Sequence, residues 1–401
     1  MIKASLSDLA NITMGTSPAG EFCGAEIIGM PLLNGPAEFT DFYPVPAQFT
    51  SAPKRLSKPD DILFCVRGST TGRMNWSDQE YAIGRGLAAI SHKSGSEYNH
   101  FLRYLLENNL NSLLNNTNGS TFPNLTSDIL AGFIFTIPDL GDQKKISAVL
   151  KSVDTKIAIN NRINNELEAM AKTLYDYWFV QFDFPGANGK PYKTSGGKMV
   201  YNPILKREIP EGWSSVPLLK ITSVSNQLLN PADYPNQVFR HFSIPVYDAT
   251  KTFDLEAGIT IGSNKFTVKK NDILVSKLNP WFNRVIYAME EENIICSTEL
   301  VVWRTSSNNI KNFLYMVATS PQFITYCTQS ATGTSNSHKR VNPNIMMRFE
   351  IPFDKNIAVA LGEKLEPMIK KLVINQRENT ELAKLRDWLL PMLMNGQVTV
   401  K

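Results

Sequence analysis

I-N-N-R-I-N-N-E-L occupies residues 159–167, and I-N-Q-R-E-N-T-E-L returns at residues 374–382, an offset of 215. Working outward, K-P-D-D-I-L-F from Lys58 recurs as K-K-N-D-I-L-V from Lys269, an offset of 211. Gly119 stands nineteen residues before Pro138 of an I-P pair, and Gly333 nineteen before Pro352 of another. An offset that drifts by so little means that one small domain plus one helix is written twice, and such self-similarity decides the architecture before any local reading.

The recurring segments sit in helices. From Asp142 to Tyr177 the heptad a positions read Ile146, Val153, Asn160, Leu167 and Leu174, with Val149, Lys156, Ile163, Met170 and Tyr177 at d. Adding 215 to the a series gives Leu361, Met368, Asn375, Leu382 and Leu389. One Asn among apolar a residues fixes register in coiled coils at some cost in stability, so Asn160 and Asn375 are expected to face each other in an antiparallel pair. The second d series is poorer, with Lys364, Lys371 and Glu378 before Leu385 and Met392, and Pro367 should kink the early part of that helix. Residues 182–211 are dense in Gly, Pro and Lys and read as a linker folded over the surface.

The segments 1–141 and 212–353 mix short strands (Ile62–Val66, Leu87–Ile90, Ile273–Ser276, Leu300–Trp303) with helices such as Phe101–Leu110 and Asn312–Thr319. The fold class expected is therefore two α+β domains in tandem repeat, residues 1–141 and 212–353. They alternate with two long helices, 142–181 and 354–401, that form an antiparallel coiled coil with pseudo-twofold symmetry.

A chain of 401 residues with 43% hydrophobic and 19% charged residues can build more than one core, and a formal charge of +4 excludes a histone-like polycation. No run approaches a membrane span and the polar start lacks the apolar core of a signal peptide, so a cytoplasmic location is expected. Cys23, Cys65, Cys296 and Cys327 are single, without the C-x-x-C pair of a zinc ribbon, and no metal site is expected. Catalytic signatures fail one by one. There is no G-x-x-x-x-G-K-[ST] loop, no G-x-S-x-G elbow, and no E-x-K after the P-D pair at Pro59. N-P-W-F at Asn279–Phe282 is one residue from the N-P-P-[YF] of adenine methyltransferases, but no glycine-rich S-adenosylmethionine loop precedes it. No catalytic residues are expected.

What remains is a surface suited to DNA. The loops after the matched strands carry Arg67, Ser69, Thr70, Thr71 and Arg73 in the first half and Lys277, Asn279, Asn283 and Arg284 in the second. Arg and Lys contact phosphate or guanine edges and Asn reads adenine. Arg85, framed as I-G-R-G, and the run His338, Lys339, Arg340 are further candidates. Residues 1–141 hold 9 Lys and Arg against 13 Asp and Glu, whereas 212–353 hold 13 against 10. A first DNA-reading domain must therefore concentrate its positive charge on one face.

Y-D-Y-W-F-V-Q-F-D-F-P from Tyr175, G-K-P-Y-K-T-S-G-G-K-M-V from Gly189, R-E-I-P-E-G-W from Arg207 and L-R-D-W-L-L-P-M-L-M-N-G-Q-V from Leu385 give the chain, over its whole length, a resemblance to the specificity subunits of type I restriction-modification systems. The first repeat departs from the pattern by lacking the P-E-G-W entry found at Pro210–Trp213. The resemblance implies a non-catalytic DNA-binding subunit of a bacterial defence complex, in which each target-recognition domain reads one half of a bipartite asymmetric DNA site. It implies partners: two modification subunits that methylate adenine and restriction subunits that translocate DNA and cut it. S-adenosylmethionine, ATP and Mg are then expected only on those partners, with no cofactor in this chain. Tyr177, Trp178 and Phe179 at the end of one helix and Trp388, Leu389 and Leu390 at the end of the other are expected to dock them. The competing class is a self-sufficient DNA methyltransferase or nuclease.

Overall fold

The computed structural model describes residues 1–40, 42–115, 124–289, 291–333 and 338–400, so the repeat landmark Gly119 lies outside the described residues. The chain divides into two compact units, Met1–Ala158 with Glu381–Lys401, and Ile159–Thr380. Both carry a four-stranded sheet, a five-stranded sheet and a two-stranded pairing, Ile2–Ser5 with Ile134–Ile137 and Ser214–Pro217 with Glu350–Phe353. In the first unit a four-stranded antiparallel sheet runs in the order Ala10–Met14, Leu87–His92, Ile62–Cys65, Met74–Trp76, and in the second Ser223–Ser225, Leu300–Arg304, Asp272–Ser276, Val285–Tyr287. Each unit adds a five-stranded sheet with one parallel pairing, Met30–Leu33 on Tyr81–Ile83 and Val238–Phe242 on Ile294–Cys296. The two α+β domains are thus a structural repeat.

The repeated K-x-x-D-I-L sequence has a local cause. The Asp61 carboxylate accepts the Lys58 N–H at 2.8 Å and the Asp272 carboxylate accepts the Lys269 N–H at 2.7 Å, each closing the turn that delivers a buried strand. Asp272 is also held bidentately by Arg304 at 2.9 and 2.8 Å. These carboxylates are structural. In the first unit the apolar faces of Ile62, Phe64, Ala88 and Ile90 pack on helix Asn99–Asn108; in the second, Ile273, Val275, Val301 and Trp303 pack on helix Asn308–Thr319. A side chain at Gly362 would strike the Asn309 carbonyl at 2.0 Å, so that glycine permits the close approach of a long helix to the start of Asn308–Thr319.

The stretch 182–211 contributes to the core of the second unit. Phe182, Phe184 and Ile209 are buried there, Phe184 stacks on Trp213 at 5.1 Å, and Met199–Asn202 pairs with Arg207–Pro210 as a hairpin.

The first long helix, Leu140–Tyr175, continues into a π-helical turn at Asp176–Val180, and the second, Lys355–Met394, passes through Pro367 and Pro391 without ending. Each helix begins in one unit and ends in the core of the other. Tyr175, Trp178 and Phe179 are core residues of the second unit, and Leu390, Leu393 and Met394 are core residues of the first. Subtracting the 215-residue offset turns Leu390, Leu393 and Met394 into Tyr175, Trp178 and Phe179, so the repeat extends to the helix ends.

The helices run antiparallel in both units, but the register differs from the expected one. Asn160 does not bond Asn375. Its Nδ2 donates to Asn379 Oδ1 at 2.9 Å and Glu378 Oε2 at 2.8 Å, while Asn375 Nδ2 donates to Asn164 Oδ1 at 2.9 Å. Asn379 is the counterpart of Asn164 at the 215 offset, so the two pairs exchange under a local twofold; each Asn finds its partner four residues, one helical turn, from the expected one. Burial follows the expected a stripe more closely than the d stripe. The covered positions of the first helix are Gln143, Ile146, Ser147, Leu150, Asp154, Asn160, Asn164, Ala171 and Tyr175, with Val153, Leu167 and Leu174 half-buried, whereas Lys156, Met170 and Tyr177 of the d series are exposed. Apolar spacing finds the buried a face but does not set how far two antiparallel helices slide along each other; the Asn160–Asn379 and Asn164–Asn375 bonds fix that slide, while Ile146 and Leu150 also pack in the first core.

Candidate nucleic-acid interface

Strand Ile62–Cys65 ends in the loop 66–73, and strand Asp272–Ser276 ends in the loop 277–284. Both strand ends are gripped in the same way. Val66 donates its N–H to the Gly86 carbonyl and accepts from the Leu125 N–H, both at 2.9 Å; Lys277 donates to Glu299 and accepts from Val341, both at 3.0 Å. One residue on, Arg67 bridges to Asn124 and Leu278 to Arg340. Each unit therefore gathers three distant segments at one strand end, which makes a platform from loops that are separate in the chain.

In the first unit Gly68 and Gly72 adopt φ of 88° and 93°, the left-handed region where a Cβ is strained, and Thr71 Oγ1 closes the turn on the Gly68 carbonyl at 2.7 Å. This tight loop exposes Arg67, Ser69 and Arg73 and half-buries Thr70. Arg85 is exposed next to Gly86, with its N–H donated to Ser17 Oγ at 3.2 Å, so the grip on Val66 brings Arg85 to the same platform. Asn124 was not singled out from the sequence. The offset of 216 that relates it to Arg340 could have found it.

The second platform is more constrained. Asn279 and Asn283 both lie at φ 48°, flanking a 3-10 turn over Pro280–Phe282. Asn279, expected to read adenine, is buried: its N–H donates to the Lys339 carbonyl at 2.7 Å and its Oδ1 accepts the Lys339 N–H at 3.0 Å. Its observed work is to fasten segment 338–341 to the loop. Arg284 is held bidentately by Asp248 at 2.6 and 2.7 Å, and its guanidinium lies 4.5 Å over the Phe282 ring. That hydrogen bonding keeps the Asp248 carboxyl below its ordinary pKa. Arg340 is exposed and paired with Glu299 at 2.9 and 3.2 Å, beside half-buried Lys277 and Lys339. Such pairs fix the plane of a guanidinium, which suits recognition of a flat acceptor edge.

The helix-end residues separate into two kinds. Trp178 and Phe179, expected on a docking face, are buried, with Phe179 packed 4.6 Å from Phe313; Leu390 is buried in the first core. Tyr177 is 37% exposed, Trp388 is 62% exposed and Leu389 is half-buried. The repeat aligns Tyr177–Phe179 with Met392–Met394, not with Trp388–Leu390, which is why one Trp is core and the other surface.

Among the described residues no group of three or more His, Cys, Asp or Glu could hold a metal ion, and no helix is long and apolar enough to cross a membrane.

Residues 3–169 match the family model described as "Type I restriction modification DNA specificity domain". A Methanocaldococcus jannaschii chain, named provisionally as the MjaX type I restriction enzyme specificity subunit, is 32% identical over 163 residues, which span 41% of this chain and 38% of that one. The MjaIX specificity subunit of the same organism is 26% identical over 363 residues, 86% of this chain and 79% of that one. Among solved structures, the S subunit of the type I restriction-modification system from M. genitalium superposes with a TM-score of 0.66 over 98% of this chain and 96% of that one. At 15% identity this is a likeness of fold.

Proposed function

Starting from a chain that is a relative of type I restriction-modification specificity subunits, we propose that it is the DNA-reading subunit of such a complex, each α+β domain recognising one half of a bipartite, asymmetric target. The observation that carries this reading is the duplicated platform: the same three-segment grip at the end of the same strand in both units, with Arg67, Ser69, Thr70, Arg73 and Arg85 on one and Lys277, Arg284, Lys339 and Arg340 on the other. Two copies of one reading surface with different side chains are what an asymmetric bipartite site requires. The chain itself carries no chemistry in this proposal. S-adenosylmethionine, ATP and Mg belong to the modification and restriction subunits that it recruits.

The test is to sequence methylated adenines in cells carrying the chain with its partner subunits. The expected product is one bipartite motif. Replacing Arg67 and Arg73 together by Ala should abolish or relax recognition of one half-site while the other half remains readable. Each lost direct base contact costs about 1–3 kcal/mol, roughly 5- to 150-fold in affinity. An unchanged motif and unchanged methylation would remove these residues from the interface. Tight binding of S-adenosylmethionine by the purified chain alone would favour the self-sufficient methyltransferase.

Docking of modification subunits is assigned to the exposed helix-end residues. Trp388→Ala should weaken their association by about tenfold or more, as loss of an aromatic anchor does, and leave the unfolding midpoint of the chain unchanged. Equal association of both proteins in a sedimentation titration would dismiss the site. Trp178→Ala cannot serve as this test, because its ring is buried and its loss opens the second core.

A further inference from the structure

The N-P-W-F turn has no role in the reading given above, yet its geometry is unusual. Pro280 is buried and packed down, but Trp281 is 37% exposed and Phe282 57% exposed. The turn carrying them is braced three ways. Asn279 and Asn283 hold left-handed conformations on both sides, the paired hydrogen bonds between Asn279 and Lys339 tie it to the neighbouring segment, and Arg284, clamped by Asp248, lies under the Phe282 ring. Asn tolerates φ above zero better than other side chains but still at some cost, so a rigid mount is maintained for two large rings presented to water. The rings stand 5.9 Å apart at 46°; Lys277 precedes their loop, and Lys339 and Arg340 lie on the segment bonded to Asn279 and bridged to Leu278.

Rigid apolar rings on a loop tied to the Lys339–Arg340 segment match one occupant, a base step of duplex DNA. Phosphates meet the cations, and an aromatic edge enters between stacked bases, as wedge side chains do when they kink a duplex. We propose that Trp281 and Phe282 form a wedge that unstacks one base step in the half-site read by the second domain. This rests on the DNA-reading function proposed above and adds a deformation to it. The first platform holds Gly68, Ser69, Thr70, Thr71 and Gly72 in the equivalent loop, with no aromatic ring, so the distortion is confined to one half of the target.

The experiment uses the full chain with its modification subunits and duplexes that the wild-type complex selects from a randomised library. Permanganate oxidation of thymines and the fluorescence of 2-aminopurine placed at successive adenines both report unstacking. In the wild-type complex both signals should rise at one or two adjacent steps of one half-site and stay low in the other. Trp281→Ala with Phe282→Ala should erase them and weaken specific binding by about tenfold or more, the scale of a lost base–aromatic contact, whereas Trp281→Phe should keep most of the signal. Three results overturn the wedge: the double variant leaves unstacking unchanged, the wild-type complex binds specifically without unstacking any step, or the double variant loses modification subunits and keeps the DNA signal, which would make the rings a protein dock. Failure of the wild-type complex to select any sequence would instead overturn the DNA-reading function beneath it.

Discussion

A fragment ending near residue 205 is expected to self-associate into a twofold dimer that reads an inverted repeat of the first half-site. It contains one α+β domain and one long helix. The observed register explains how a copy can stand in for the missing half: since Asn379 and Asn375 are the repeat counterparts of Asn164 and Asn160, Asn160 of one copy would bond Asn164 of the other, twice, about a symmetric axis. The core of the first unit would then receive Tyr175, Trp178 and Phe179 where it now holds Leu390, Leu393 and Met394. Those rings are larger, and overpacking costs about 1–3 kcal/mol at a site. Tyr175→Leu with Trp178→Leu and Phe179→Met should therefore tighten the dimer. With modification subunits it should methylate a palindromic site and ignore the second half-site. Equilibrium sedimentation and methylation mapping decide: a fragment that stays monomeric at micromolar concentration, or selected sites without inverted symmetry, would falsify the exchange.

Asp154→Ala should lower the unfolding free energy of the chain by about 3–5 kcal/mol, the usual cost of leaving a buried charge without its partner. The carboxylate is buried in the first unit, where it accepts the Tyr104 hydroxyl at 2.7 and 2.8 Å and lies 3.4 Å from both Arg386 and His100. Burial raises its pKa, but the polar contacts from His100 and Tyr104 and the Arg386 charge outweigh burial and leave it below the ordinary value of 3.8. A depressed carboxyl contributes stability that is complete above its unfolded pKa and is lost as pH falls through the folded one, so the loss is confined to pH below about 4. Urea titrations at pH 7 and pH 3 should show a large difference between wild type and variant at the first and a smaller one at the second. Asp154→Leu with Arg386→Met should recover part of the loss at pH 7. A deficit below about 1 kcal/mol in the single variant would show that the cluster is as solvated as a surface pair.

The repeat, the α+β class and the long helices were legible because each depends on local pattern: K-x-x-D-I-L marks the same turn-to-strand entry twice, and long apolar periodicity marks a helix whatever it packs against. The buried a face was legible but the pairing across it differs by four residues, because apolar spacing does not set how far two antiparallel helices slide along each other, and the polar bonds Asn160–Asn379 and Asn164–Asn375 that do set it depend on the packed pair. The platforms were half legible. Their strand-end loops follow from the repeat, but the straps at Asn124–Leu125 and Arg340–Val341 join residues far apart in the chain. Asn279 looked like a reader and is a fastener because its left-handed backbone and its bonds to Lys339 exist only after that strap closes. Trp178 and Trp388 share a residue type and a motif context; only three-dimensional packing distinguishes core from surface.

The exchanged helix ends also set a timetable for synthesis. The first unit needs Arg386, Leu390, Leu393 and Met394, residues about as far from Asp154 as the chain allows, to close its core. A nascent first domain therefore leaves the ribosome with an open apolar cleft and waits for the final helix. At roughly 5–20 residues per second, the intervening stretch takes on the order of ten seconds or more to emerge. During that interval the cleft can be covered by a chaperone or by the first helix of another nascent chain on the same message, so the order of translation and the spacing of ribosomes bear on how this chain completes its first core.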